Sequence, residues 1–394
     1  MRGPAPLGAV LRILAIAAVV GLLLLPLTSG PWQPAAASPT SAAASSSATD
    51  GSCPDRTAAQ PGAAPVLAHF YIWFNATSWN RAKMDYPLAG RYSSDQADVM
   101  ATQVEQAKAA GIDGFIVGWS GSDHLDARLA TLRGVAANNG FKLAITYQAQ
   151  DFQRHRLPVA KVRKDLETLA DTYADDPVFH VLGPRPVVAL SGTWNYSLDE
   201  LRSITAPVAS RLLVLATEKA VKDYERVAPA VGGELYYWSS ADPLTTKGYV
   251  QKLLAMANVA RQHCGVWIAP VTPGYDARKV GGQRVVDRRD GATLRSSWEG
   301  ALATVPDAIG IISWNEFSEN TYIEPSISFG SKYLDEIREL TASPPPPSKE
   351  TDSSAPQGAG SLTRAAALFS AALVAVLLVT VVGMRRRRRM PNRA

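Results

Sequence analysis

The sequence predicts an α/β fold, a single (β/α)8 TIM barrel with an N-terminal signal segment before it and a C-terminal transmembrane helix after it. Three features lead there. Eight short apolar runs, rich in β-branched and aromatic residues, alternate with segments whose apolar positions recur at a period of about 3.6. The stretch that contains them, residues 65–340, is close to the roughly 250 residues of one such barrel. Two further apolar runs, nearly free of charge, lie apart from it near the two ends of the chain.

The expected strands are residues 66–74, 114–119, 142–147, 186–190, 212–216, 234–238, 265–270 and 308–314. Between them the expected helices are residues 96–110, 125–139, 159–174, 198–209, 220–228, 245–262 and 294–303, with 331–340 completing the set. Cap-type residues precede several starts, with Ser93, Ser94 and Asp95 before the first helix and Ser197 before the fourth. Strict alternation through eight units argues for a closed parallel barrel rather than an open doubly wound sheet.

The flanks divide further. Residues 1–37 carry Arg2 and Arg12, then an apolar core, then small residues ending at Ala35, Ala36 and Ala37, the order of a secretory signal peptide. Residues 38–64 and 341–363 are rich in Ala, Ser, Thr and Pro and too poor in apolar side chains to bury a core, so they read as an arm and a stalk. Residues 364–384 enclose an uncharged run, 365–383, long enough to cross a hydrocarbon core. The tail, residues 385–394, opens with Arg385 to Arg389 and belongs in the cytoplasm by the positive-inside rule. The expectation is a single-pass protein of the cell membrane whose barrel lies outside.

That topology also accounts for the charge. The formal net charge is +5, but all 35 acidic residues lie within residues 38–363, whereas nine of the 40 basic ones lie outside that stretch. The exported part therefore carries 31 basic against 35 acidic residues, a net −4, which argues against a nucleic-acid partner. Five scattered histidines and two cysteines form no cluster at metal-ligand spacing, so neither a metal nor a cofactor is expected. Cys53 and Cys264 face an oxidising compartment, where pairing is permitted and two free thiols are the alternative. Gly118-Trp119-Ser120-Gly121 fails the spacing of a nucleophilic serine turn, since position 122 is Ser.

In a barrel of this kind the active site gathers where strands end and βα loops begin. Those ends supply Tyr71, Trp73, Trp119, Tyr147, Trp194, Tyr236, Tyr237, Trp238 and Trp267, then Trp314, Asn315, Glu316 and Glu319. Apolar sugar faces stack on aromatic rings while amides and carboxylates take the hydroxyls, so such a wall suits a saccharide. Tyr71, Trp73, Trp119, Tyr147, Tyr236, Tyr237 and Asn315 are the candidate substrate-binding residues. Glu316 and Glu319 are the candidate catalytic pair, because glycosidic cleavage uses two carboxyls. Residues three apart on one strand point to opposite faces, so convergence requires the chain to turn after Trp314. A cell-surface saccharide receptor without catalysis would use the same aromatic wall.

The segment Trp314-Asn315-Glu316-Phe317-Ser318-Glu319-Asn320-Thr321-Tyr322-Ile323-Glu324-Pro325 resembles the W-N-E-W-x-E-x-T-x-I-E-P segment of glycoside hydrolase family 99, which includes endo-α-mannosidases. Phe70-Tyr71-Ile72-Trp73-Phe74, the turn from Gly90 to Asp95, and the run from Ala107 to Trp119 are similar to the opening of the same proteins. Related barrels include family 71 α-1,3-glucanases. The resemblance implies a retaining α-glycoside hydrolase in which Glu316 assists deprotonation of the substrate 2-hydroxyl. That hydroxyl attacks its own anomeric carbon, Glu319 acts as acid and then base, and Asn315 binds sugar hydroxyls. One position departs from the family pattern: Gln148 and Gln150 follow Tyr147 where a glutamate is usual.

Overall fold

The computed structural model describes Cys53 and residues 64–343 except residue 152, so the expected signal peptide, stalk, membrane span and basic tail lie outside the described residues. Among the described residues, no helix is long and apolar enough to cross a membrane. The strands are β1 (Val66–Tyr71), β2 (Gly114–Trp119), β3 (Lys142–Gln148), β4 (Val187–Ser191), β5 (Leu213–Leu215), β6 (Gly233–Leu235), β7 (Val266–Val271), a short hairpin of β8 (Tyr275–Asp276) and β9 (Val285–Val286), and β10 (Ala308–Ile311). Eight of them form one parallel sheet in the order β5-β4-β3-β2-β1-β10-β7-β6. Its two outer strands meet through a parallel bridge between Ala216 and Glu234, with Ala216 N donating to Gly233 O and Leu235 N to Ala216 O, so the barrel closes.

The helices between strands are α1 (Ala97–Ala109), α2 (Asp123–Asn139), α3 (Val159–Tyr173), α4 (Leu198–Thr205), α5 (Val221–Val227), α6 (Tyr249–Gln262) and α7 (Ala292–Leu302), and α8 (Lys332–Ala342) follows β10. Ser197 caps α4 with a reciprocal pair: its hydroxyl accepts from Glu200 N while the Glu200 side chain accepts from Ser197 N. The helix expected to run to residue 209 stops at Thr205, and Pro207 sits in the 3-10 turn that follows, where it can donate no backbone bond. Before α1 the expected side-chain cap is absent. Ser93 instead donates to Asp95, and Asp95 takes two bonds from Arg128 of α2, tying the first βα loop to the second helix.

Alternation along each strand sorts side chains into two layers. Leu67, Ile116, Ala144, Ala189, Leu215, Leu235 and Ile268 fill the inside of the barrel. The opposite face of the same strands, with Phe70, Val117, Ile145, Leu190 and Ala269, packs on the helices. A third cluster of Tyr71, Phe74, Trp79, Tyr92, Phe317 and Tyr322 closes one side of the mouth, between the β1–α1 loop and the chain after β10. Cys53 and Cys264 form a disulfide with a Cα separation of 5.4 Å, fastening the segment before β1 to the turn between α6 and β7.

Candidate active site

The barrel mouth is assembled on the inward face of β1 and the turn after β10. His69 and Tyr71 follow Leu67 on the inward face, and Trp73 stacks on Tyr71 with ring centroids 4.2 Å apart. Gly118 permits this placement, since a Cβ there would lie 2.8 Å from Tyr71 Cδ1. Two residues beyond β6, Tyr237 brings its hydroxyl within 2.9 Å of the Tyr71 hydroxyl and its ring edge-on to His69 at 4.9 Å. Burial pushes His69 down to about 3, so it is a neutral imidazole under the tyrosine pair.

After β10 the chain leaves the strand and folds back. Trp314 N donates to His69 O, Ile323 N to Ser313 O, and Glu324 N to Trp314 O, which pins residues 321–324 beside 313–314. The intervening turn is anchored by Phe317, buried with its ring stacked on Tyr322 at 4.0 Å. Glu316 N donates to the Ser313 hydroxyl, which fixes the backbone, and Ser318 N donates to Glu316 Oε1, which holds the carboxyl. Lys83, from the β1–α1 loop, donates to the Ser318 hydroxyl at 2.6 Å and its charge reaches Glu316.

The turn brings Glu316 and Glu319 into one electrostatic unit. Burial raises Glu316 above the usual carboxylate range, against the opposing pull of the Ser318 amide and Lys83. Burial and then the charge of Glu316 push Glu319 up to about 7, partly offset by Arg154. Both carboxyls also act on the Tyr71 and Tyr237 hydroxyls, which are held well above their ordinary value chiefly by burial. One carboxyl accepting from a backbone amide and a neighbour that keeps its proton near neutrality make a pair suited to moving one proton each way. Tyr275, on the β8–β9 hairpin, adds a hydroxyl near Glu319, and Asp276 N donates to Glu319 O.

Several expected substrate contacts do not reach this mouth. Trp119 and Tyr147 turn outward into the layer beneath the helices, where Trp119 Nε1 donates to Asp126 of α2 and the Tyr147 hydroxyl to Asp165 of α3, both at 2.6 Å. Tyr236 likewise points outward, between Trp238 and Trp267. Alternation is the reason: each sits one residue from an inward position. Asn315 is fully buried and its amide is engaged by the scaffold, Oδ1 accepting from Tyr71 N and Nδ2 donating to Tyr71 O and the Tyr92 hydroxyl. It extends the pairing of β10 with β1 beyond the strands and sets where Tyr71 stands. Glu324 supports that clamp from behind, accepting from Tyr92 and Gln103.

Tyr71, Trp73, Tyr237, Glu316 and Glu319 thus meet at the mouth, together with Lys83, His69 and Tyr275, which sequence reasoning did not single out. Lys83 had no local signal. Tyr275 follows the seventh strand closely enough that its position at a strand end was a usable clue.

A (β/α)8 barrel with paired carboxyls in an aromatic cup at its C-terminal mouth belongs to the class of carbohydrate-active barrels. The match is more particular than that: the model of Glycosyl hydrolase family 99 covers residues 74–348, and the chain belongs to that family. A curated relative, glycoprotein endo-alpha-1,2-mannosidase of Rattus norvegicus, is 22% identical over 278 residues, 64% of this chain and 59% of the relative. The chain therefore spans under two thirds of that relative's length. Among solved structures, the family 99 endo-alpha-mannosidase of Bacteroides thetaiotaomicron in complex with bis-tris propane has a TM-score of 0.61 at 20% identity, covering 70% of this chain and 95% of that one. A glycoside hydrolase-like protein gives 0.54 at 17% identity, covering 71% and 94%. At these identities the structural likeness is one of fold.

Proposed function

We propose that this protein is a retaining glycoside hydrolase that cuts α-linked glycans, with endo-α-mannosidase-like action, and that Glu316 and Glu319 carry the chemistry. The observation that supports this reading is the placement of the two carboxyls in one electrostatic unit beside Tyr71 and Tyr237, an arrangement a receptor does not need. In the proposed reaction Glu316 accepts the proton of the substrate 2-hydroxyl as that oxygen bonds to the anomeric carbon. Glu319 donates its proton to the departing glycosidic oxygen. Water then opens the resulting 1,2-anhydro sugar, giving a proton to Glu319 while Glu316 returns one to the 2-oxygen. Trp73 stacked on Tyr71 offers a flat face for a sugar ring.

The purified protein is expected to release oligosaccharides from an α-mannan, the first product having the α-anomeric configuration by proton NMR. A β-configured first product would refute retention. No release from any α-mannan or α-glucan would refute the hydrolase reading.

We also propose that the barrel is displayed outside the cell membrane on the stalk at residues 341–363. The apolar run at 365–383 followed by five arginines supports this, as does a Cys53–Cys264 disulfide, a bond that persists in oxidising compartments. Protease added to intact cells should release a barrel-sized fragment. If the barrel stayed protected while the tail was digested, the orientation would be wrong.

A further inference from the structure

The two carboxyls of the mouth are held in different ways. Glu316 accepts from the Ser318 amide, whereas the Glu319 side chain makes no hydrogen bond among the described residues. Its direction is therefore set through its backbone, and there the carbonyls of residues 319 to 322 are all taken. Glu319 O accepts from Asp276 N at 2.7 Å and Thr321 O from Ser313 N at 2.8 Å. Asn320 O and Tyr322 O both accept from Arg288 Nη2, at 3.0 and 2.8 Å. Asn320, directly after Glu319, sits at φ +54°, a left-handed conformation uncommon for a residue other than glycine.

Three of those four bonds come from the loop between β7 and α7. Its two donors stand on one hairpin, Asp276 in β8 and Arg288 two residues beyond β9, with Tyr275 paired to Val286. Arg288 is buried, 6% exposed, and forms no ion pair with a carboxylate among the described residues. A buried guanidinium is costly unless its surroundings replace water. The rings of Tyr322, Phe329 and Tyr333 do part of this, with centroids 4.6, 4.8 and 4.3 Å from Arg288 Cζ. Gly274 leaves room for the stem, since a Cβ there would lie 2.6 Å from Arg288 Cγ. The fold thus carries a buried cation whose carbonyl bonds both run to the turn behind Glu319.

We propose that Arg288 is a positioning residue for the acid: by holding the carbonyls of Asn320 and Tyr322 it aims the Glu319 carboxyl at the departing glycosidic oxygen. Its Nη2 carries two N–H groups in a fixed plane, one for each carbonyl, a geometry the rotating ammonium of lysine does not reproduce. The effect on catalysis rests on the hydrolase reading above, but the placement of Glu319 can be measured without turnover.

The test is Arg288→Lys in the intact protein, assayed on an unactivated α-mannan oligosaccharide and on an α-mannoside with a good leaving group. On the unactivated substrate kcat should fall by about tenfold or more with little change in KM, the scale of a misplaced catalytic group. On the activated substrate, which needs little acid assistance, kcat should stay near wild type. A packing role would lower both alike, so equal loss on both substrates, or no loss in the folded variant, overturns the proposal and leaves the hydrolase reading intact. If Arg288→Lys does not fold, Arg288→Met, whose thioether packs among the same rings without a buried charge, is read on the same two substrates. If neither variant folds, Arg288 is a core residue of the loop and the proposal falls. If the wild-type protein cuts neither substrate, carbon-13 NMR titration of Glu319, assigned through Glu319→Gln, decides. Burial and Glu316 hold that carboxyl up to about 7, so a displaced Glu319 should titrate lower in the variant. A lowered midpoint upholds the positioning role while the hydrolase reading falls, and an unmoved midpoint overturns it.

Discussion

Glu316→Gln and Glu319→Gln are each expected to lower turnover of an unactivated α-glycoside by about 10²- to 10⁴-fold while leaving the melting temperature nearly unchanged. The amide is near-isosteric, and the bonds that shape the turn are made mostly by backbone and by Ser313, Phe317 and Lys83 rather than by the proton being moved. The two variants should differ on a substrate with a good leaving group. Such a substrate needs little acid assistance, so Glu319→Gln should recover much of its first-step rate. Glu316→Gln should stay slow, because activation of the 2-hydroxyl is still missing. The pH profile gives a second reading. Glu319 is held up to about 7, so it keeps its proton below that and loses it above, and the first-step rate on an unactivated substrate should fall as pH rises past about 7. That alkaline limb should vanish for Glu319→Gln on the activated substrate. Wild-type turnover by either variant on the unactivated glycan removes that residue from the mechanism, and equal rescue of both overturns the division of roles.

Breaking the Cys53–Cys264 bond is expected to cost more stability than any single surface change. The bond spans a sequence separation of 211. In the chain-entropy account a closed loop of that size restricts the unfolded ensemble by about 5 kcal/mol, and removing a native disulfide typically costs roughly 2–5 kcal/mol. The double variant Cys53→Ser/Cys264→Ser should therefore melt several degrees lower than the oxidised protein, with little change in KM, since the bond lies at the turn before β7, at the end of the barrel away from the mouth. Thiol labelling of the denatured, unreduced protein should find no free cysteine in the described stretch. Full labelling of both cysteines, or a melting temperature unmoved by reductant, would show that the pair contributes nothing.

The βα alternation was legible because the strand runs are short, apolar and β-branched while the helices carry a 3.6 period, and both signals are local. Boundaries moved: β5 and β6 are three residues each, and beyond β5 the run continues only as the single bridge from Ala216 to Glu234. The β8–β9 hairpin was invisible within a charged stretch, since Tyr275 and Val286 pair across a loop whose composition reads as solvated.

Which aromatic residues face the mouth was not legible. Strands of a parallel barrel are buried on both faces, so along β2 the set Ile116, Gly118 and the set Phe115, Val117, Trp119 are equally apolar. Nothing in the run says which set is inside. Closure of the barrel decides it, placing Tyr71 and Tyr237 at the mouth and Trp119, Tyr147 and Tyr236 beneath the helices.

The sequence by itself determined the barrel, the family and the segment that carries Glu316 and Glu319, because periodicity and a contiguous motif are properties of neighbouring residues. Only the tertiary structure decided that Asn315 serves the backbone of Tyr71 rather than a sugar, and that Lys83, from the β1–α1 loop, bonds to Ser318 in the turn that carries Glu316. Those relations join residues far apart in the chain, and the partner that engages a polar group, leaves it free or shifts its proton affinity is set by distance in space and burial, which no local pattern encodes.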